Sequence, residues 1–158
     1  MNITPARTED LADLAELIAE YQNLDETSET IPDDETTREF LRKLLTGDGH
    51  SALFIGRTSS GELIGFVHIY CVPSALDSCR VVRITDLFIH PDYRRQGFGR
   101  QLFDHALRWA RSQKHPRVVW FVENLNLEAQ YMFDRVAGAA QTGWLGYSLL
   151  LSGHKDGL

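Results

Sequence analysis

The stretch His90-Pro-Asp-Tyr-Arg-Arg-Gln-Gly-Phe-Gly-Arg-Gln-Leu-Phe103 decides how the rest of the chain is read. It begins where the apolar run VVRITDLFI (81–89) meets Pro91. The residue before a proline is driven to extended geometry, so the spacing predicts a strand that stops at His90. Gly97 and Gly99 then sit one residue apart, flanked by Arg94, Arg95 and Arg100, before a segment with helical apolar spacing. A helix N-terminus leaves its first N–H groups without partners and carries partial positive charge, which is why anions settle there. Glycine clears the approach and tolerates positive φ, and arginine adds charge-assisted contacts. The residues therefore suit a phosphate or pyrophosphate site at a strand end; a tight turn with solvated arginines would use the same residues. Two nucleotide-binding patterns fail on spacing. There is no G-x-x-x-x-G-K-[ST], and the third place of G-x-G-x-x-G is Leu102.

Upstream, SALFIGR (51–57) and ELIGFVHIYCV (62–72) are apolar runs joined by TSSG, the composition of a hairpin turn, and CRVVRITDLFIH (79–90) is a third long strand. Residues 8–24 carry Leu11, Leu14, Leu17 and Ile18 at the spacing of an amphipathic helix, with Thr8 as its expected N-cap. Residues 25–45 begin as an acidic loop broken by Pro32 and end as a short helix bearing Phe40, Leu41, Leu44 and Leu45. Downstream, the pattern predicts a helix over 98–112, a short buried strand RVVWFV (117–122), a helix over 126–138 closed by Gly138, and a strand-like tail TGWLGYSLLL (142–151). Strands and helices alternate around one expected sheet, an α/β domain spanning 1–158. No apolar run approaches the ~20 residues of a membrane span, and a formal net charge of −6 argues against a general nucleic-acid binder. Cys71 and Cys79 make no metal-ligand cluster and read as free thiols of a cytoplasmic protein, so no metal is expected.

The longer string DLFIHPDYRRQGFGRQLFDHAL (86–107) resembles the acetyl-CoA motif of the GNAT superfamily of N-acetyltransferases. That motif is an apolar strand, a proline-containing loop, then R/Q-x-x-G-x-G/A opening a helix; Arg94, Gly97 and Gly99 stand at its three defining places. The resemblance continues through VVWFVENLNLEAQYMFDRVAGA (118–139), and the W-x-x-Y of the tail looks most like the branch acting on polyamines, small amines or histone-type lysines. It implies a mixed, mostly antiparallel sheet splayed into a V-shaped cleft, about four flanking helices, and acetyl-CoA as acyl donor. Amides of Arg95, Gln96, Gly97, Phe98, Gly99 and Arg100 would take the pyrophosphate. Leu87, Phe88 and Ile89 would pair with the pantetheine amides, and Asn126 would contact the cofactor, although a plain helix cap accounts for that residue too. Dimers are common in the superfamily, and WLGYSLLL (144–151) has the apolar character of a homodimer interface or of a core strand.

The implied reaction is acetyl transfer from sulfur to a primary amine in a ternary complex. The thiolate leaving group is often protonated there by a tyrosine in N-x-x-A-x-x-x-Y. Keeping Asn126 and Ala129 in register puts Phe133 at the tyrosine place, and phenylalanine donates no proton. Tyr131, two residues earlier, points about 200° around a helix from it. A second register, Asn124 to Tyr131, restores the tyrosine but places Leu127 where the alanine belongs. For the acceptor, the polyamine-type relatives place acidic residues where this strand has Asp86, preceded here by Thr85 rather than glutamate. Asp86 would bind the substrate ammonium or relay its proton; a salt bridge to Arg80 or Arg83 is the structural alternative. Acidic residues of the loop (Asp25, Glu26, Glu29, Asp33, Asp34, Glu35) would attract a small cationic amine, or simply be solvated. His68 and Tyr70 share a strand face and are candidates for a proton relay or for plain core, and Trp144 and Tyr147 for the acceptor pocket or for packing. A non-catalytic acyl-CoA-binding module and a protein lysine acetyltransferase are the alternatives to a small-amine enzyme.

Overall fold

A computed structural model describes residues 1–24, 31–47 and 49–143. The chain packs as two units, residues 1–121 and 122–158. The first contains a five-stranded sheet in sequence order: β1 (Asn2–Pro5), β2 (Ser51–Arg57), β3 (Leu63–Ser74), β4 (Cys79–Ile89) and β5 (Val118–Val119). β1 to β4 are antiparallel to their neighbours, and only β5 joins β4 in parallel. Three helices pack in this unit, α1 (Leu11–Asn23), α2 (Asp34–Leu45) and α3 (Phe98–Ser112).

Side chains alternate across a strand, and both faces here are covered. On one face Leu53, Ile55, Phe66 and Phe88 pack with Leu14, Ala15, Leu17 and Ile18 of α1 and Leu41 of α2. On the other, Phe54 meets His105 and Trp109 of α3 at ring-centroid distances of 4.7 and 6.0 Å, and Leu102, Phe103 and Ala106 are fully buried. Arg57 ties β2 to the start of α1 through Asp10 (2.8 Å) and Asp13 (2.9 Å). Asp33 caps α2, its carboxylate accepting the Thr36 N–H at 2.8 Å. Cys71 is buried and Cys79 exposed, both as free thiols.

Three details differ from the sequence expectation. Thr8 is not the cap of α1: Thr8–Asp10 form a 3₁₀ turn, closed by Asp10 accepting the Arg7 N–H at 2.8 Å, and α1 starts after it. Among the described residues the expected strand 117–122 pairs only at Val118 and Val119, opposite Val82 and Arg83. Beyond that, Trp120 turns onto Phe103 (5.0 Å) and Phe121 lies under the Arg83 guanidinium (4.9 Å), so these side chains pack singly instead of extending the ladder. In the second unit, the last helix is the seven residues of α4 (Leu127–Phe133), with a turn following and Gly138 at φ +81°. Residues 144–151 of the strand-like tail, with its W-x-x-Y, and the acidic residues 25–29 lie outside the described residues. Among the described residues no helix is long and apolar enough to cross a membrane, and no group of three or more His, Cys, Asp or Glu is placed to hold a metal.

Candidate active site

The site begins with an irregularity in β4. The β3–β4 register runs Phe66↔Phe88, Val67↔Leu87, His68↔Asp86, then Ile69↔Ile84, so Thr85 is an extra residue without a partner on β3. This is a β-bulge, and it changes which face each later side chain occupies. Without it, Asp86 and Phe88 would share the α3 face with Val82 and Ile84. With it, Asp86 and Phe88 stand opposite His68 and Phe66, on the face covered by α1. The bulge also sets the consecutive side chains of Thr85 and Asp86 beside one ring: the Thr85 hydroxyl and the Asp86 carboxylate each lie 3.2 Å from His68 Nδ1.

Asp86 is half-buried and held at both oxygens. The Tyr21 hydroxyl donates to Oδ1 at 3.1 Å, and His68 Nδ1 faces Oδ2 at 3.2 Å. An ionised carboxylate only accepts, so Nδ1 carries the proton. Burial pushes the Asp86 carboxyl upward, but hydrogen bonds from His68 and Thr85, the charge of His68 and the Tyr21 hydroxyl outweigh it and hold the carboxyl below its ordinary 3.8. The salt-bridge alternative is not what forms. Arg80 donates to the Cys71 carbonyl at 2.6 Å, and Arg83 lies over Phe121. Tyr21 is the residue that sequence reasoning missed. Its signal was present: it extends the Leu14, Leu17, Ile18 stripe of α1 by one more turn, placing a hydroxyl at the end of a buried face.

From Asp86, β4 continues through Leu87, Phe88 and Ile89 with its β3 side paired and with no strand on its other side among the described residues. It leads into the glycine turn. Arg95 and Gly97 both hold positive φ (59° and 78°), and Gly97 is the N-cap of α3. The N–H groups of Gln96, Gly97, Phe98, Gly99 and Arg100 donate to no acceptor among the described residues. A Cβ at position 97 would meet no atom within 4 Å among the described residues beyond its chain neighbours. Bared amides around left-handed residues at a helix start form an anion-binding concavity. The arginines contribute less free charge than their number suggests. Arg94 Nε donates to the Ile89 carbonyl at 3.0 Å, and Arg100 Nε is shared between the two Asp104 oxygens, each at 2.9 Å. The loop is anchored at both flanks: His90 Nδ1 accepts the Asp92 N–H at 3.2 Å while its Nε2 faces Glu20 at 3.2 Å, and the Tyr93 hydroxyl donates to Glu62 at 2.6 Å.

In the second unit, Asn126 caps α4, its Oδ1 accepting the Ala129 N–H at 3.0 Å. Tyr131 is exposed, with the Arg135 guanidinium over its ring at 3.2 Å, and Phe133 is half-buried.

The uncharacterized N-acetyltransferase YhfO of Bacillus subtilis is 27% identical over 149 residues, covering 94% of this chain and 97% of its own. Among solved structures, a probable acetyltransferase superposes with a TM-score of 0.82 at 26% identity, covering 97% of this chain and 99% of the other. An aminoglycoside acetyltransferase from an uncultured soil metagenomic sample shares the fold, with a TM-score of 0.74 at 20% identity over 94% of this chain and 96% of its own. A strand that ends in a cradle of bared amides is the feature the acetyl-CoA motif described above requires. The acetyltransferase (GNAT) family model matches residues 11–139, most of the chain, and the chain belongs to that family.

Proposed function

We propose that this chain moves an acetyl group from acetyl-CoA to a primary amine on a small cationic molecule, with residues 1–158 acting as one catalytic domain. The observation that carries the acceptor half is Asp86, an ionised carboxylate held at both oxygens and three residues from the end of the strand that opens into the amide cradle. In this reading the amides from Arg95 to Arg100 hold the pyrophosphate of the donor. Leu87 to Ile89 offer their open edge to its pantetheine arm, and Asp86 receives the acceptor's ammonium beside the thioester. The amine must lose a proton before it attacks, since an aliphatic ammonium titrates near ~10.4. Asp86 stays ionised and holds the ammonium by charge, and the proton lost before attack passes to solvent water.

The Asn126 cap on Ala129 favours the register in which Phe133 occupies the place of the family's tyrosine, with Tyr131 facing elsewhere. Protonation of the departing thiolate then falls to water, and Asn126 acts first as a helix cap. The polyamine or lysine-like character of the acceptor rests on Asp86 and on the sequence resemblance. Relatedness in fold to an aminoglycoside acetyltransferase is consistent with an amine-bearing acceptor. A thiol-release assay with acetyl-CoA over diamines, polyamines, lysine analogues and aminoglycosides tests the reading. Saturable release with a cationic amine is the expected result. Tight acetyl-CoA binding without release by any amine would replace the enzyme with a non-catalytic acyl-CoA-binding module.

A further inference from the structure

We propose that Tyr21 and His68 are positioning residues of the acceptor site: each occupies one oxygen of Asp86, and together they keep that carboxylate ionised and aimed, so that the site selects amines in their protonated, cationic form. The inference rests on the reading of Asp86 as the group that receives the amine.

The three side chains come from three elements, α1, β3 and β4, and each is fixed independently of the others. The Tyr21 ring packs between Phe66 (5.6 Å) and Phe88 (5.4 Å), which sets where its hydroxyl points. His68 is 5% exposed, with the Tyr70 ring 4.6 Å away, and is one of two polar residues buried to that degree among the described residues. Its Nε2 is buried with no hydrogen-bond partner among the described residues. Leaving a ring nitrogen unsatisfied in the interior carries a desolvation cost that leucine or phenylalanine would not incur at this site. What the ring supplies in return is its Nδ1–H on Asp86. A carboxylic proton on Oδ2 would be set against that N–H, so the geometry favours the ionised form, in line with the lowered carboxyl titration. Among the described residues no other charged group is hydrogen-bonded to Asp86: on α1, Glu20 is turned to His90, and on β4, Arg83 is turned to Phe121. The bulge at Thr85 makes the arrangement possible, because on a regular strand Asp86 would face α3, away from both donors.

The test uses the full chain labelled with ¹³C in its aspartate carboxyls, with the Asp86 signal assigned from its loss in Asp86→Asn. The carboxyl is titrated in the wild type, His68→Leu, Tyr21→Phe and His68→Asn, the last of which keeps an N–H near the position of Nδ1. The expected result is a wild-type carboxyl below the ordinary range that moves up in His68→Leu and in Tyr21→Phe and returns towards the wild type in His68→Asn. Steady-state assays with 1,4-diaminobutane read the consequence. KM for the diamine is expected to rise about tenfold in His68→Leu. The acid limb of kcat/KM should move to higher pH, while the acetyl-CoA Kd stays unchanged. An ordinary wild-type carboxyl, no movement in either His68→Leu or Tyr21→Phe, or a His68→Asn protein that titrates like His68→Leu would overturn the proposal. If no amine accelerates thiol release in the wild type, the acetyltransferase reading fails, and the carboxyl titration still decides whether the clamp exists.

Discussion

Gly97 enters α3 at φ +78°, a conformation that costs other residues because their Cβ crowds the following carbonyl. Gly97→Ala is therefore expected to lose about 1–2 kcal/mol of stability, read as a Tm lower by about 2–4 °C per kcal/mol. Because a Cβ there meets no atom within 4 Å among the described residues beyond its chain neighbours, any loss of acetyl-CoA affinity beyond the strain reports the ligand itself. An unchanged Kd would remove the turn from the donor site. Asp86 makes a second residue-scale prediction. Its carboxyl titrates lower folded than unfolded, so the unfolded chain binds more protons as the pH falls. Ionised Asp86 thus adds stability at pH 7 that is lost as the pH drops below about 4 and through the folded value. Asp86→Asn should lie below the wild type in Tm at pH 7, and the gap should close on acidification. Its kcat/KM for a cationic amine should fall about 30-fold or more, with acetyl-CoA binding retained. Phe133 carries the third. A positioned general acid is worth about 10² to 10⁴ in rate, so Phe133→Tyr should raise kcat if that place faces the thiolate. Tyr131→Phe should leave turnover near the wild type; a large kcat loss there with unchanged cofactor affinity would select the other register.

At the scale of elements, the long strands and α3 were legible because each is a contiguous run with a strong local pattern. The bulge was not. In VVRITDLFI the Thr85-Asp86 pair lies between Ile84 and the apolar run Leu87, Phe88, Ile89, so alternation does not say which residue is inserted. Only pairing with β3 reveals it. Among the described residues β5 is shorter than its apolar run for a related reason: Trp120 and Phe121 contact Phe103 and Arg83 singly, and the pairing with β4 stops at Arg83, two residues before the bulge bends the strand. The contact between β3 and the end of β4 is correspondingly tight. A Cβ at Gly65 would lie 2.5 Å from Ile89 Cδ1 and 2.6 Å from the Phe88 carbonyl oxygen, and the latter is backbone that cannot swing aside. Gly65→Ala is expected to cost about 1–3 kcal/mol in chemical denaturation and to weaken acetyl-CoA binding by shifting Phe88 and Ile89. Wild-type stability in that variant would mean the end of β4 is free to move.

Across the whole molecule, the formal net charge of −6 bears on encounter with the cationic acceptor proposed above. Part of the acidity expected to line the acceptor pocket is already committed: Asp33 caps α2, Asp34 pairs with Arg38 at 2.7 Å and Glu35 with Arg42 at 3.0 Å. Long-range attraction should still favour multiply charged amines. Because the screening length shrinks from about 30 Å at 0.01 M salt to about 3 Å at 1 M, kcat/KM for a polyamine should fall more steeply with salt than that for a monoamine. Equal slopes would confine acceptor electrostatics to Asp86. The sequence by itself determined the family and, among the described residues, the order of elements and the glycine turn at the start of α3, because turn chemistry and helix starts are properties of neighbouring residues. The tertiary structure decided the surroundings of Asp86. Tyr21 and Asp86 are 65 residues apart and His68 and Asp86 are 18 apart, and one inserted residue in β4 turns the carboxylate to the face where both donors lie. That insertion is set by how two strands pair, and neither strand carries a local mark of it.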